Sequence, residues 1–178
     1  PKTRLSTFFT KSERTFISEY LLRNMINQVN KLSLKNACKN IYVYPDVTDS
    51  FLNSFKNINN FNLIKQRGDN LNMRMLNCIQ EQAKQAQKVV LFGSDIPDLT
   101  CEIIKDGVTR LDSCDAVLGP SIDGGYYLIG FNNFSENDMQ SINLQPENIR
   151  NSLEKKKLIY SELVQLSDID YPADLLVI

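Results

Sequence analysis

The run Val89-Val90-Leu91-Phe92-Gly93-Ser94-Asp95-Ile96-Pro97-Asp98-Leu99 decides how the rest of the chain is read. Four consecutive apolar residues suit a strand covered on both faces, as parallel strands in α/β proteins are. The run then stops at a glycine and delivers two carboxylates held apart by a proline. Ligands of such sheets gather outside the carboxyl ends of the strands, so Asp95 marks a candidate site. A second strand over Asp115 to Gly119 leads straight into Pro120-Ser121-Ile122-Asp123-Gly124-Gly125-Tyr126-Tyr127. It is expected to neighbour the first and to bring another carboxylate and a flexible glycine pair to the same edge. Two acid-bearing turns at one edge suit a divalent cation and a phosphate-rich substrate.

Strand and helix signals alternate outward from this point. Thr10-Lys11-Ser12-Glu13 has the spacing of a capping box, and Phe16, Ile17, Tyr20, Leu21, Met25, Ile26 and Val29 recur on one face of the helix it opens. Ile41 to Tyr44 and Phe61 to Ile64 read as strands, with a short helix over Ser50 to Phe55 between them. A helix over Leu71 to Gln87, with Met75, Cys78, Ile79 and Ala83 on one face, feeds the Val89 strand. Thr100 caps a helix running through Leu111, and Tyr126 to Phe131 forms a further strand. A helix is expected from about Pro146, a last strand within Leu158 to Leu166 and a terminal helix from Pro172. The fold class is α/β, with a mostly parallel central sheet flanked by helices.

Bulk properties narrow the function. The 178 residues suffice for one domain that buries roughly 70% of its unfolded surface. With 20 basic against 21 acidic side chains, the overall field disfavours a nucleic-acid or other polyanion binder and suits a small-molecule protein. The absence of histidine removes Ser-His and Cys-His nucleophilic machinery. It also leaves any metal to oxygen ligands, hence magnesium or manganese rather than zinc. Cys38, Cys78, Cys101 and Cys114 form no C-x-x-C pair and read as reduced, structural residues. No signal peptide or membrane-length apolar run is present, which makes the cytoplasm the expected location.

Five segments in order carry a family resemblance: Lys2-Thr3-Arg4-Leu5; Gln66-Arg67-Gly68-Asp69-Asn70-Leu71 with Arg74-Met75; Gly93 to Leu99; Gly119-Pro120 through Asp123-Gly124-Gly125-Tyr126-Tyr127-Leu128-Ile129-Gly130; and Asp168-Ile169-Asp170-Tyr171-Pro172-Ala173-Asp174-Leu175. Together they resemble the bacterial glycosyltransferase-A-like proteins of the domain-of-unknown-function 2064 group. That group is also labelled selenodomain-associated transferase 1 or arsenosugar-biosynthesis glycosyltransferase. The resemblance implies a nucleotide-diphospho-sugar transferase fold related to sugar-1-phosphate and molybdopterin nucleotidyltransferases. It implies metal contact for Asp95 and Asp170, phosphate contact for Lys2 and Arg4, and a turn at Gln66 and Gly68 facing the nucleotide base. Members of the family carry an opening apolar strand ahead of the Lys-Thr-Arg-Leu motif. The expectation is therefore a single domain over residues 1–178 without that first strand, either a fragment or a truncated copy. The family's Trp-Ser-Thr segment is also replaced, by Leu144-Gln145-Pro146-Glu147-Asn148.

The residue types suit this chemistry on their own terms. A cation held by one or two carboxylates neutralises charge on a leaving phosphate while Lys or Arg takes the remainder. Ser94 stands beside Asp95 as a further nucleotide contact. Gly124 and Gly125 allow close backbone approach to an acceptor, with Tyr126 next to them. Asp123 and Asp98 are the candidate catalytic carboxylates, Asp123 as a hydrogen-bond partner or general base for an acceptor hydroxyl. Each has a plainer reading: Asp95 and Asp98 as caps of the helix after Thr100, Asp123 as a turn residue, Asp170 as a cap ahead of Pro172, Asp168 as a solvated neighbour, Tyr126 and Tyr127 as sheet packing, and Arg67, Asp69 and Arg74 as surface ion pairs.

The sequence thus reads as a metal-dependent glycosyltransferase that moves a sugar from a nucleotide-diphospho-sugar to a small acceptor. Three alternatives stand beside it. One is a nucleotidyltransferase that consumes a nucleoside triphosphate and releases pyrophosphate. Another is a noncatalytic nucleotide-binding module. The third, a haloacid-dehalogenase-like phosphatase, lacks its Asp-x-Asp-x-Thr motif on a first strand.

Overall fold

The computed structural model describes residues 2–46, 51–52, 61–139 and 142–177. A 3-10 turn, Thr3–Thr7, precedes helix α1, Lys11–Lys31. Strands β1, Lys39–Val43, and β2, Phe61–Lys65, follow. Helix α2, Leu71–Ala83, then leads to strand β3, Lys88–Phe92. Helix α3, Cys101–Arg110, strand β4, Ala116–Pro120, and strand β5, Tyr126–Asn132, come next. The chain closes with short helix α4, Glu136–Met139, helix α5, Ile149–Lys155, strand β6, Tyr160–Glu162, and a 3-10 turn, Pro172–Val177. The helix expected over Ser50 to Phe55 lies largely outside the described residues.

Local chemistry sets these elements. Thr10 completes the capping box of α1: its hydroxyl oxygen accepts from the Glu13 N–H at 3.3 Å, and the Glu13 carboxylate accepts from the Thr10 N–H at 2.8 Å. Asn70 and Thr100 cap α2 and α3 by accepting from the N–H groups of Met73 and Ile103. The apolar stripe of α1 is buried from Leu21 onward, at Leu21, Met25, Ile26 and Val29. Phe16 and Tyr20 stay 71% and 50% exposed, against the expectation that they share the core. Helix α2 ends four residues earlier than its periodicity suggests, and the terminal segment winds as a 3-10 turn rather than an α-helix.

The strands form two sheets. β1 and β2 pair in parallel with each other, Val43 opposite Lys65. The other sheet has the order β3-β5-β4-β6. β5 runs antiparallel to both β3 and β4, and β6 runs parallel to β4. β3, β4 and β6 therefore share a direction, and β5 alone opposes them. This corrects the expectation that β3 and β4 are direct neighbours. β5 turns back after the Asp123-Gly124-Gly125 corner and inserts between them. Because it reverses, the acid-bearing ends of β3 and β4 still face the same edge.

Helices cover both faces of the four-stranded sheet. On one side Met25, Ile26 and Val29 of α1 meet Ile96, Leu99, Ile104, Val117 and Leu128. On the other Ile79 of α2 and Ile149 and Leu153 of α5 pack on Leu118, Ile129 and Phe131. β4 is buried throughout and β5 along its middle, whereas β3 is only half-buried despite its four apolar residues. No helix among the described residues is long and apolar enough to cross a membrane. All four cysteines are free thiols.

Candidate active site

Three stretches far apart in sequence meet outside the ends of β3 and β4. The first is the start of the chain. Lys2 adopts a left-handed backbone (φ 51°), its carbonyl accepts from the Leu5 N–H at 3.1 Å, and the fully buried Leu5 anchors the turn. The second is the turn after β3. A side chain at Gly93 would place its Cβ 2.8 Å from the Asp95 carboxylate, so glycine there lets the carboxylate fold back over the strand end. The third is the segment 166–170. Its Leu166 N–H donates to the Pro120 carbonyl at 3.1 Å, and its Ile169 N–H donates to the Asp95 carbonyl at 3.1 Å. That segment is thereby laced across the exits of β4 and β3 in turn, although only residues 160–162 of the expected last strand form a strand.

The side chains close the arrangement. The Lys2 ammonium donates to Asp95 Oδ2 at 2.9 Å and to the Ile169 carbonyl, and lies 3.8 Å from Asp170 Oδ1. Arg4 pairs with the other oxygen of Asp170. The Lys2 side chain is only 10% exposed, so its charge is held in place by two carboxylates and a carbonyl rather than by water. Ser18 and Leu21 of α1 and Ser94 join these four charged residues around a cavity of about 390 Å³. Lys2, Arg4, Ser94, Asp95 and Asp170 thus come together.

Two more carboxylates share the electrostatic field. Asp123 Oδ1 accepts from the Ser121 hydroxyl at 2.5 Å and from the Gly125 N–H at 2.9 Å. These bonds, aided by the charge of Arg4, hold the Asp123 carboxyl below the usual range against a smaller opposing effect of burial. Burial pushes the Asp168 carboxyl upward, and Asp123, Asp170 and Asp95 add to the push. Asp168 is half-buried and does not line the cavity. The cap on the terminal turn is made by Asp174, whose carboxylate accepts from the N–H groups of Asp170 and Tyr171, leaving the side chain of Asp170 to Lys2 and Arg4.

The remaining candidates lie elsewhere. Asp98 is exposed in the turn ahead of α3 and does not line the cavity. Gly124 has a positive φ of 90° at the tip of the corner, with open space where a side chain would stand. The Tyr126 hydroxyl donates to the Leu144 carbonyl and the Tyr127 hydroxyl to the Val164 carbonyl, so both phenols are used in packing. Gln66 and Gly68 form the turn after β2, pinned by the Gln66 N–H on the Val43 carbonyl at 2.8 Å. Sequence reading passed over Ser18. Its signal was a serine standing three residues before Leu21 on the face that α1 turns inward.

Residues 28–144 match the family described as an uncharacterized protein conserved in bacteria (DUF2064). The chain belongs to this family. Among curated proteins it is 28% identical, over 98% of its own length and 76% of the relative's, to the 2-phospho-L-lactate guanylyltransferase of Methanocaldococcus vulcanius. It is 30% identical to the enzyme of the same name from Methanobrevibacter smithii, over 70% of this chain and 53% of that one. Among solved structures, a proposed nucleotide-diphospho-sugar transferase from Desulfovibrio desulfuricans G20 superposes with a TM-score of 0.79 at 26% identity, covering 96% of this chain and 76% of that one. CMP:2-keto-3-deoxy-manno-octonic acid synthetase complexed with CTP shares the fold, with a TM-score of 0.63 at 10% identity over 88% of this chain and 85% of the other. The α/β fold of this DUF2064 member is that of nucleotide-diphospho-sugar transferases and nucleotidyltransferases, and the chain is transferase-like.

Proposed function

We propose that the chain is a nucleotidyltransferase that joins a nucleoside monophosphate to a small phosphorylated substrate and releases pyrophosphate. In that reaction an oxygen of the acceptor's phosphate bonds to the α-phosphorus of a nucleoside triphosphate while the bond to the β-phosphate oxygen breaks. The observation that carries the reading is the geometry at Asp123, whose Oδ1 already accepts from the Ser121 hydroxyl at 2.5 Å and from the Gly125 N–H at 2.9 Å and is therefore a weak base. Glycosyl transfer to a hydroxyl gains from a base at the acceptor, whereas an acceptor phosphate is already anionic and needs none. The names of the curated relatives point the same way and suggest guanosine triphosphate and a phosphorylated hydroxy acid as the first substrates to try.

Each part of the site then has a task. Lys2 and Arg4 take charge from the triphosphate and the departing pyrophosphate. Gln66, Gly68 and Ser94 contact the nucleotide, and Gly124 and Gly125 offer backbone to the acceptor. Among the described residues no three His, Cys, Asp or Glu side chains cluster closely enough to hold a metal by themselves. The donor set nonetheless fits magnesium or manganese, which take one or two carboxylates together with substrate phosphates, and Asp95 and Asp170 would supply those carboxylates. Bound there, the cation would neutralise charge on the phosphates.

The likeness to the Desulfovibrio desulfuricans protein favours glycosyl transfer as the second reading, and the products separate the two. Incubated with nucleoside triphosphates, magnesium or manganese and 2-phospho-L-lactate, the protein is expected to release one pyrophosphate per nucleotide joined. Lys2→Ala is expected to lower that rate by roughly 100-fold, about the loss seen when a charge-stabilising donor is removed. Free nucleoside diphosphate from a nucleotide sugar, with no pyrophosphate from any triphosphate, would favour the second reading. Nucleotide binding without any product would leave a binding module.

A further inference from the structure

Lys2 and a divalent cation have a claim on the same two carboxylates. The ammonium stands 2.9 Å from Asp95 Oδ2 and 3.8 Å from Asp170 Oδ1, between the side chains that would hold the cation. It also donates to the Ile169 carbonyl, and with its side chain only 10% exposed it is enclosed by the groups it binds. Arg4 differs. It pairs with the other oxygen of Asp170 from the solvent side, 58% exposed, with its guanidinium carbon 6.0 Å from the centre of the Tyr171 ring. Lys2 and Arg4 balance Asp95 and Asp170 one for one, so these four groups lack the net negative charge that draws a divalent cation out of water.

A cation seated on both carboxylates excludes an ammonium that bridges them. Magnesium binds carboxylate oxygen at about 2.1 Å, and an ammonium on the same oxygens would face twice its own charge at short range. The lysine is the group free to move. Its backbone is anchored, since the Lys2 carbonyl accepts from the Leu5 N–H at 3.1 Å and Leu5 is fully buried, whereas the ammonium rides on a flexible four-carbon stem. The cavity that Lys2 lines with Ser18 and Ser94 gives the displaced ammonium somewhere to go.

We propose that Lys2 is exchanged for the cation: it holds Asp95 and Asp170 in the free chain, releases them as the cation binds, and passes to the oxygens of the triphosphate. The cation alone then binds weakly, because nothing repays the displaced ammonium, and a nucleotide that gives the ammonium a new partner tightens the cation's binding. One side chain couples the two ligands. The inference rests on the nucleotidyltransferase reading for the triphosphate and for Asp95 and Asp170 as the cation's carboxylates.

Manganese binding without nucleotide, followed by the electron paramagnetic resonance signal of the free ion, tests the exchange. Lys2→Gln is expected to bind manganese about ten-fold more tightly than the natural chain, and Lys2→Arg, which keeps the charge, no more tightly. Adding Asp95→Asn to Lys2→Gln is expected to abolish the gain. Equal affinity in the natural chain and Lys2→Gln would overturn the exchange. A second measurement needs no variant. Acetylation of Lys2 by an N-hydroxysuccinimide ester, read by mass spectrometry, is expected to be slow in the natural chain, to rise several-fold at saturating manganese and to fall again when guanosine triphosphate is added. Labelling that ignores manganese, or that stays high with the nucleotide present, would overturn the proposal. If manganese and guanosine triphosphate act on Lys2 as described but no triphosphate yields pyrophosphate, the exchange stands and the nucleotidyltransferase reading falls. If neither the natural chain nor Lys2→Gln binds manganese, the exchange falls and pyrophosphate release decides the reading by itself.

Discussion

Among the described residues the two sheets are buried to different degrees. Lys39-Asn40-Ile41-Tyr42-Val43 in β1 is half-buried along its whole length, and in β2 only Phe61 is fully covered. Ala116-Val117-Leu118-Gly119-Pro120 in β4 is wholly buried, and so are the five central residues of β5. The difference comes from what lies against them. β4 and β5 sit in the middle of a sheet with helices on both faces, whereas β1 and β2 pair with each other at one side of a shared core. The lesson is a division of labour. β4, β5 and their helices carry the well-covered core, and the region holding the Gln66 turn and Tyr44 is left with fewer covering groups, as the locally less stable parts of a fold are.

The most direct way to break this comparison is to remove one side chain from each sheet. Phe131 in β5 is fully buried against Ile129, Phe134 and the helices behind them, and Phe131→Ala is expected to cost about 3–5 kcal/mol in urea unfolding. Ile41→Ala in β1 is expected to cost less than about 2 kcal/mol, since Ile41 is only partly buried against the core. Equal losses would show that the two sheets carry equal shares. A smaller effect sharpens the picture on the well-packed side. Thr100→Ala removes the cap of α3, whose Ile104 lies in the main core, and is expected to cost about 1 kcal/mol by the same measurement.

The smallest effect expected is in acid. The Asp123 carboxyl is held below its usual range by Ser121 and Gly125, so it binds protons less readily in the folded chain than in the unfolded one. Its contribution is complete above the ordinary aspartate pKa and is lost as pH falls through the lowered folded value. Asp123→Asn is therefore expected to lower stability at neutral pH and to flatten the acid side of the stability curve. An unchanged acid limb, measured by urea unfolding between about pH 2 and pH 6, would count against the bonds at this corner.

Much of this was legible in the sequence because it is local. The Thr10 capping box, the Thr100 cap and the apolar run into Asp95 each depend on residues a few positions apart, and all stand where they were expected. What the sequence hid depends on partners far away. The insertion of β5 between β3 and β4 is a choice of long-range pairing that no local pattern encodes. Periodicity named the inner face of α1 but not how much of the helix has anything to face, so Phe16 and Tyr20 were assigned to a core that begins at Leu21. Within the candidate site, family motifs pointed to Lys2, Arg4, Asp95 and Asp170 one at a time. That a single ammonium reaches one carboxylate 93 positions along the chain and another near its far end is visible only in three dimensions.

That ammonium carries a consequence of its own. Two carboxylates brought together in a partly buried cleft repel each other, and a fold built around them needs positive charge to hold its shape. Lys2 provides it from within the chain, with Arg4 beside it. The protein brings its own counter-ion, so the folded chain is expected to be as stable in a chelating buffer as in magnesium, which urea unfolding in the two buffers would check.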